Sequence, residues 1–117
     1  MGTEKREYLK NLYIGEQAQE QKRAVMRAIA RGRSFPGLYL ITIAASESEQ
    51  LDIWSSLYLN RQDPNQPIPL IVGAAMGKEE AFRVVERIAR DSFLATGACD
   101  LKEYLLHVRN KQEGSTW

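Results

Sequence analysis

A chain of 117 residues with 44% apolar content has room for one domain around one core, and excludes two ordinary domains. Its net charge of +1 demands no polyanionic partner, and its single cysteine, Cys99, excludes an intramolecular disulfide and fits a reducing compartment. No stretch approaches the length needed to cross a bilayer, and the charged start Met1-Gly2-Thr3-Glu4-Lys5-Arg6-Glu7 has no apolar run behind it, so the expectation is a cytoplasmic protein with no membrane association.

Charge is nevertheless unevenly spread. Residues 1–33 hold eight Lys or Arg against four Glu, a balance of +4 that leaves −3 for the rest of the chain; such polarity can steer self-association or a partner.

Tyr8 to Ile14 suits either a strand closed by Gly15 or the first turns of a long helix. A strand is preferred, because glycine inside a helix costs about 1 kcal/mol and aromatic residues suit a pleated surface. From Gln17 to Arg31 the apolar residues Ala18, Val25, Met26 and Ile29 recur at helical spacing opposite Lys22, Arg23, Arg27 and Arg31, which predicts an amphipathic helix ended by Gly32. Leu38 to Ala45 is apolar on both alternating faces, the pattern of a strand covered by helices on both sides.

Ser46 with Glu49 three residues on has the spacing of a capping box, and Leu51, Trp54, Leu57 and Tyr58 form one stripe, so a helix is predicted from there to about Asn60. Arg61 to Pro69 is polar and broken by prolines, and reads as a mobile loop. Leu70 to Ala75 predicts a second strand. A helix with Ala81, Val84, Val85, Ile88 and Ser92 inward follows to about Leu94 and closes at Thr96-Gly97, Asp100 caps a last helix, and Asn110 to Trp117 reads as a tail.

Two apolar strands, each leading into a helix, imply an α/β fold: a small three-layer sandwich with a two- or three-stranded parallel sheet flanked by helices. The predicted organisation is a single domain over residues 1–109 and a C-terminal tail over 110–117. So narrow a sheet exposes unpaired edges, which pairing with a second copy would complete, so a homodimer is expected.

Val72-Gly73-Ala74-Ala75-Met76-Gly77-Lys78-Glu79 invites comparison with a phosphate-binding loop and fails it. The glycines are one residue too close, and Glu79 stands where a magnesium-binding Ser or Thr is required. Gly73 more simply lets a helix approach the strand, and Gly77 caps the next helix. In a parallel sheet both strand-to-helix turns would lie at one edge, where Ser46, Ser48, Gly73, Gly77 and Lys78 could hold a small anion or nucleotide-like ligand, against the repulsion of Glu47, Glu49, Glu79 and Glu80.

His107 is the sole histidine and has no partner ligands around it, so no metal is expected, and Cys99 reads as a buried small hydrophobe. The stripe Arg23, Arg27, Arg31 lacks an aromatic platform and reads as a solvated helix face rather than a nucleic-acid contact. No catalytic constellation and no cofactor motif stands out. The expected role is an interaction or regulatory module, homodimeric and open to a further protein partner, with a small-anion binder or enzyme at the strand-to-helix turns as the alternative.

Leu12-Tyr13-Ile14-Gly15-Glu16, Tyr39-Leu40-Ile41-Thr42, Leu51-Asp52-Ile53, Ile71-Val72-Gly73 with Gly77 and Glu80-Ala81, and Thr96-Gly97 with Asp100 resemble a group of small cytosolic α/β proteins from Gram-positive bacteria whose function is unassigned. The resemblance runs to Leu105 and implies a compact unit without implying an activity.

Overall fold

A computed structural model describes residues 8–61 and 69–114. The predicted strand at the N-terminus forms as β1 (Tyr8–Ile14). The predicted helix that follows is two pieces, α1 (Glu16–Gln19) and α2 (Lys22–Arg31), because Gln21 leaves helical geometry at φ −121°, ψ 34°. Gly32 closes α2 in the left-handed region at φ 65°, as its place in the sequence predicts.

Next comes β2 (Leu38–Ile43), and then the largest departure from the sequence reading. The predicted helix after Ser46 is instead a hairpin: β3 (Leu51–Ser55) runs back antiparallel along β2, followed by a 3-10 turn over Ser56–Arg61. The Ser46 signal is real but turns the chain, its Oγ accepting from Ser48 N–H at 3.2 Å. Leu51 and Ile53 then face one side of the sheet and Trp54 the other, where its indole N–H reaches the fully buried Thr42 Oγ1 at 3.0 Å. The loop read as mobile falls largely at 62–68, outside the described residues.

The chain returns as β4 (Ile71–Met76), α3 (Lys78–Thr96) and α4 (Leu101–Gly114). Gly97 ends α3 at φ 76° and Asp100 Oδ1 accepts from Glu103 N–H at 3.1 Å, both where the sequence puts a stop and a cap. Helix α4 runs on through Asn110 into the stretch read as tail.

The sheet has four strands in the order β1-β4-β2-β3 and is mixed. Strands β1 and β4 are parallel, whereas β2 is antiparallel to both its neighbours. The expected parallel pairing of the Leu38 and Leu70 segments is therefore corrected. An apolar strand buried on both faces reports a central position, which β2 and β4 do occupy, but says nothing of direction.

The layering survives that correction. On one face α3 and α4 pack Ala81, Val84, Ile88, Leu101 and Leu105 against Leu9, Ile41, Val72 and Ala75. On the other, α1 and α2 set Ala18, Val25 and Ile29 on Ile14, Leu38, Leu40 and Ile71. Arg23, Arg27 and Arg31 stay exposed on the outside of α2. No helix among the described residues is long and apolar enough to cross a membrane.

Candidate functional site

The parallel pair β1/β4 sends both carboxyl ends into helices, β1 into α1 through Gly15 and β4 into α3 through Gly77. This is the crevice where an α/β fold usually seats an anion, between helix N-termini with unsatisfied N–H groups. Here a side chain of the chain itself fills it.

Glu80 is only 4% exposed, and its carboxylate gathers three backbone donors from two segments. Oε1 accepts from Gln17 N–H at 2.8 Å, and Oε2 from Ala18 N–H at 3.2 Å and Met76 N–H at 2.9 Å. Glu80 stands third in α3, after an N-cap glycine with no side chain to offer, a place from which a glutamate can reach back across the helix start. A Cβ on Gly15 would lie inside the Glu80 carboxylate, so glycine is required there by closeness of approach.

Beside this group opens a cavity of about 240 Å³ lined by Gly15, Glu16, Gln17, Glu80, Arg83, Val84 and Arg87. Arg87 is tied to its floor. Its Nη1 donates to Ile14 carbonyl at 3.0 Å, and its guanidinium lies 5.6 Å from the centre of the Tyr13 ring, within cation–π range.

One turn further along α3, Asp91 Oδ2 accepts from the Tyr13 hydroxyl at 2.8 Å, and the Tyr104 hydroxyl of α4 lies 3.0 Å from the same oxygen of Tyr13. Tyr13 has one proton and gives it to the carboxylate, so Tyr104 donates to Tyr13. Burial first, then the hydrogen bonds to Tyr104 and Asp91, push the Tyr13 hydroxyl well above its ordinary value of 10.0.

Below pH 10 the hydroxyl is protonated in both folded and unfolded chains. Above it the unfolded chain releases a proton that the folded chain keeps, so stability falls as pH rises toward the higher folded value. Tyr13→Phe is expected to show a shallower loss of stability between pH 10 and 12, by up to about one proton's worth of slope, measured by urea unfolding at a series of pH values.

The residues singled out from the sequence do not converge. Ser46 and Ser48 lie in the hairpin loop beyond the end of β2, whereas Gly77 and Lys78 follow the end of β4, and these strands are antiparallel. The two turns therefore sit at opposite ends of the sheet and share no anion site, and Gly73 lies inside β4, away from either turn. At the hairpin end the Ser46 and Ser48 hydroxyls bond each other at 2.8 Å, and Lys102 Nζ donates to Ser46 carbonyl at 2.7 Å. Gln50 Oε1 accepts from Leu101 N–H at 2.9 Å, so this loop serves to seat the start of α4. At the other end Gly77 N–H donates to Gly37 carbonyl at 2.9 Å, closing the end of β4 against the turn before β2.

Cys99, expected to be buried, is exposed in the short link between α3 and α4. His107 is exposed on α4, beside an open groove of about 740 Å³ between the end of α3 and α4 that Asp100, Tyr104 and Lys111 also line. Among the described residues no group of three or more His, Cys, Asp or Glu could hold a metal ion.

Sequence reasoning set Glu80 among four carboxylates that would repel an anion without singling it out as the buried one, and passed over the Tyr13–Asp91–Tyr104 group. Glu80 had a signal, its third position in a helix opened by glycine; Asp91 and Tyr104 stand 78 and 91 residues beyond Tyr13 along the chain, and no local pattern links the three. No protein-family model, curated protein or solved structure matches the chain. Its own residues define the class to which it belongs, a three-layer α/β domain whose natural anion seat is filled from within.

Proposed function

We propose that the chain is an interaction or regulatory module that works as a homodimer. The observation that supports this most is the set of large apolar side chains left outside both cores: Leu57 and Tyr58 beside β3, 61% and 56% exposed, and Phe82, Phe93 and Leu94 on α3, 56%, 56% and 76% exposed. Scattered exposed apolar residues are ordinary, but grouped ones beside a sheet edge or along one helix mark contact surfaces. Glu80 weighs against the rival reading of an anion binder at the strand-to-helix turns, since the donors such a ligand would use are already taken.

Light scattering after size exclusion at about 10 µM, a concentration at which a micromolar or tighter dimer populates, tests it. The expected mass is twice 13.3 kDa, falling toward the single-chain value on dilution. A single-chain mass that persists at ten times that concentration overturns the reading.

A further inference from the structure

The homodimeric reading leaves open which surface meets the second copy, and the two edges of the sheet answer that differently. Strand β1 is blunted: its register against β4 shifts between Tyr8 and Tyr13, Lys10 and Asn11 are exposed on it, and Asn11 N–H is met by Gln112 Oε1 of α4 at 3.4 Å. A charged residue, an irregular register and a covering helix are the devices by which edge strands avoid pairing. Strand β3 lacks the irregular register and the covering helix, and its one charge, Asp52, spends its backbone groups on β2. It holds unbroken register with β2 over five pairs, contains neither lysine nor proline, and no described residue pairs with its outer side.

The direction of its backbone groups can be read from two hydrogen bonds. Ala44 N–H donates to Gln50 carbonyl at 3.0 Å, while Ile43 N–H turns the other way, to Leu70 carbonyl at 3.1 Å. In an antiparallel ladder bonded and non-bonded pairs alternate. With Ile43 opposite Leu51 and Thr42 opposite Asp52, Asp52 and Trp54 spend their N–H and C=O groups on β2. Those of Leu51, Ile53 and Ser55 point to the open edge.

Resting on the homodimeric reading, we propose that a second copy of this chain pairs antiparallel with β3 about a twofold axis at Ile53. Antiparallel pairing is the one arrangement a strand can make with itself across such an axis, and an axis at Ile53 puts outward-facing residues opposite each other. Ile53 meets Ile53 of the partner subunit, and Leu51 meets the partner's Ser55. Asp52, the one charged residue of β3, then faces Trp54 of the partner subunit and not its own copy, so no like charges oppose. Two sheets of four strands become one of eight. A pair of five-residue strands is marginal alone, and Leu57 and Tyr58, exposed in the turn that directly follows β3, with the Tyr58 ring 6.4 Å from that of Trp54 and edge-on, offer apolar surface to bury with it.

Amide hydrogen exchange of the intact protein, read residue by residue by NMR alongside its mass by light scattering, tests this. The expected result is a dimer in which the amides of Leu51, Ile53 and Ser55 exchange at least roughly 100-fold more slowly than unpaired ones, protection that paired backbone gives and an open edge does not. Ser55→Pro removes an outward N–H without touching the β2 ladder, and should weaken the dimer roughly 30-fold or more by deleting two symmetric backbone bonds and crowding the edge. Phe93→Ser on α3 should leave it intact.

A dimer in which those three amides exchange freely, or which survives Ser55→Pro and dissociates with Phe93→Ser, overturns the β3 pairing and leaves the homodimeric reading standing. Slow exchange in a protein that runs as a single chain means that a segment of the same chain covers the edge, and overturns both. If Ser55→Pro fails to fold, the exchange pattern of the unaltered protein decides alone.

Discussion

Glu80→Ala is expected to destabilise the fold by about 3 kcal/mol, within a range of roughly 2–5 for stripping a charged acceptor from buried donors. The carboxylate is the shared acceptor for Gln17 and Ala18 at the start of α1 and for Met76 at the end of β4. Alanine leaves all three N–H groups without it. Water entering from the adjoining cavity of about 240 Å³ can restore some of those bonds, which keeps the loss below the sum of three separate ones. Against a total stability of about 5–15 kcal/mol for a domain of ordinary size, the effect is large enough to read directly from the midpoint of urea unfolding.

Gly15→Ala should act through the same group, because the new methyl takes the space of the Glu80 carboxylate. The two losses are then not independent. Once Glu80 is alanine, Gly15→Ala has nothing to displace and should be close to neutral, giving a coupling of about 1–3 kcal/mol in a double-mutant cycle. Strict additivity would mean that the carboxylate and the glycine do not share one site.

What the sequence made legible was whatever local physics decides. Gly32 and Gly97 end their helices in left-handed geometry, Asp100 caps α4, and the inward stripe of α3 is the one its spacing predicts, with Ala81, Val84, Ile88 and Ser92 buried. Each is a preference spanning a few residues. The hairpin defeated the same approach because Leu51, Trp54, Leu57 and Tyr58 fit a helical stripe as well as Leu51-Ile53 fits an alternating one, and a five-residue strand is too short for period alone to choose. The antiparallel pairing with β2 chose it, and pairing is not a local property.

The residues offered for an anion do not meet, because β2 and β4 run in opposite directions and the turn at Ser46 leads into a strand and not a helix. Ser46 and Lys78 were brought together by assuming that β2 and β4 run the same way. The principle behind the assumption holds at the pair that is parallel, β1 and β4, where helix starts do converge on a negative group. Glu80 was one of four glutamates read as opposing an anion, and that it alone turns inward onto donors of α1 and β4 was hidden by a residue type ordinarily solvated at a helix start. A glutamate there and a glycine 65 positions earlier (80 − 15) become one feature only in three dimensions.

Gly73 gives the other large effect. It lies in β4 under α3, and a Cβ placed on it would meet Tyr13 carbonyl oxygen at 3.1 Å, Ile41 Cδ1 at 3.2 Å and Val84 Cγ1 at 3.2 Å. Two of these are side-chain methyls that can shift by tenths of an ångström. The third belongs to the backbone of β1, which is held by its ladder with β4 and by Arg87 on the adjoining carbonyl. Gly73→Ala is accordingly expected to destabilise by about 1–3 kcal/mol through overpacking, reduced by the roughly 0.4–1 kcal/mol that alanine gains over glycine from the stiffer unfolded chain. Adding Val84→Ala removes one of the obstructing methyls and opens space beneath α3, so the double variant should be more stable than the sum of the two losses predicts, by urea unfolding on all three proteins. Relief should be partial, since Tyr13 carbonyl oxygen remains in place. A glycine kept to let a phosphate approach the backbone would tolerate the methyl in the free protein and show no coupling to Val84 at all, so the cycle separates a packing role for Gly73 from the ligand-binding one its neighbourhood suggests.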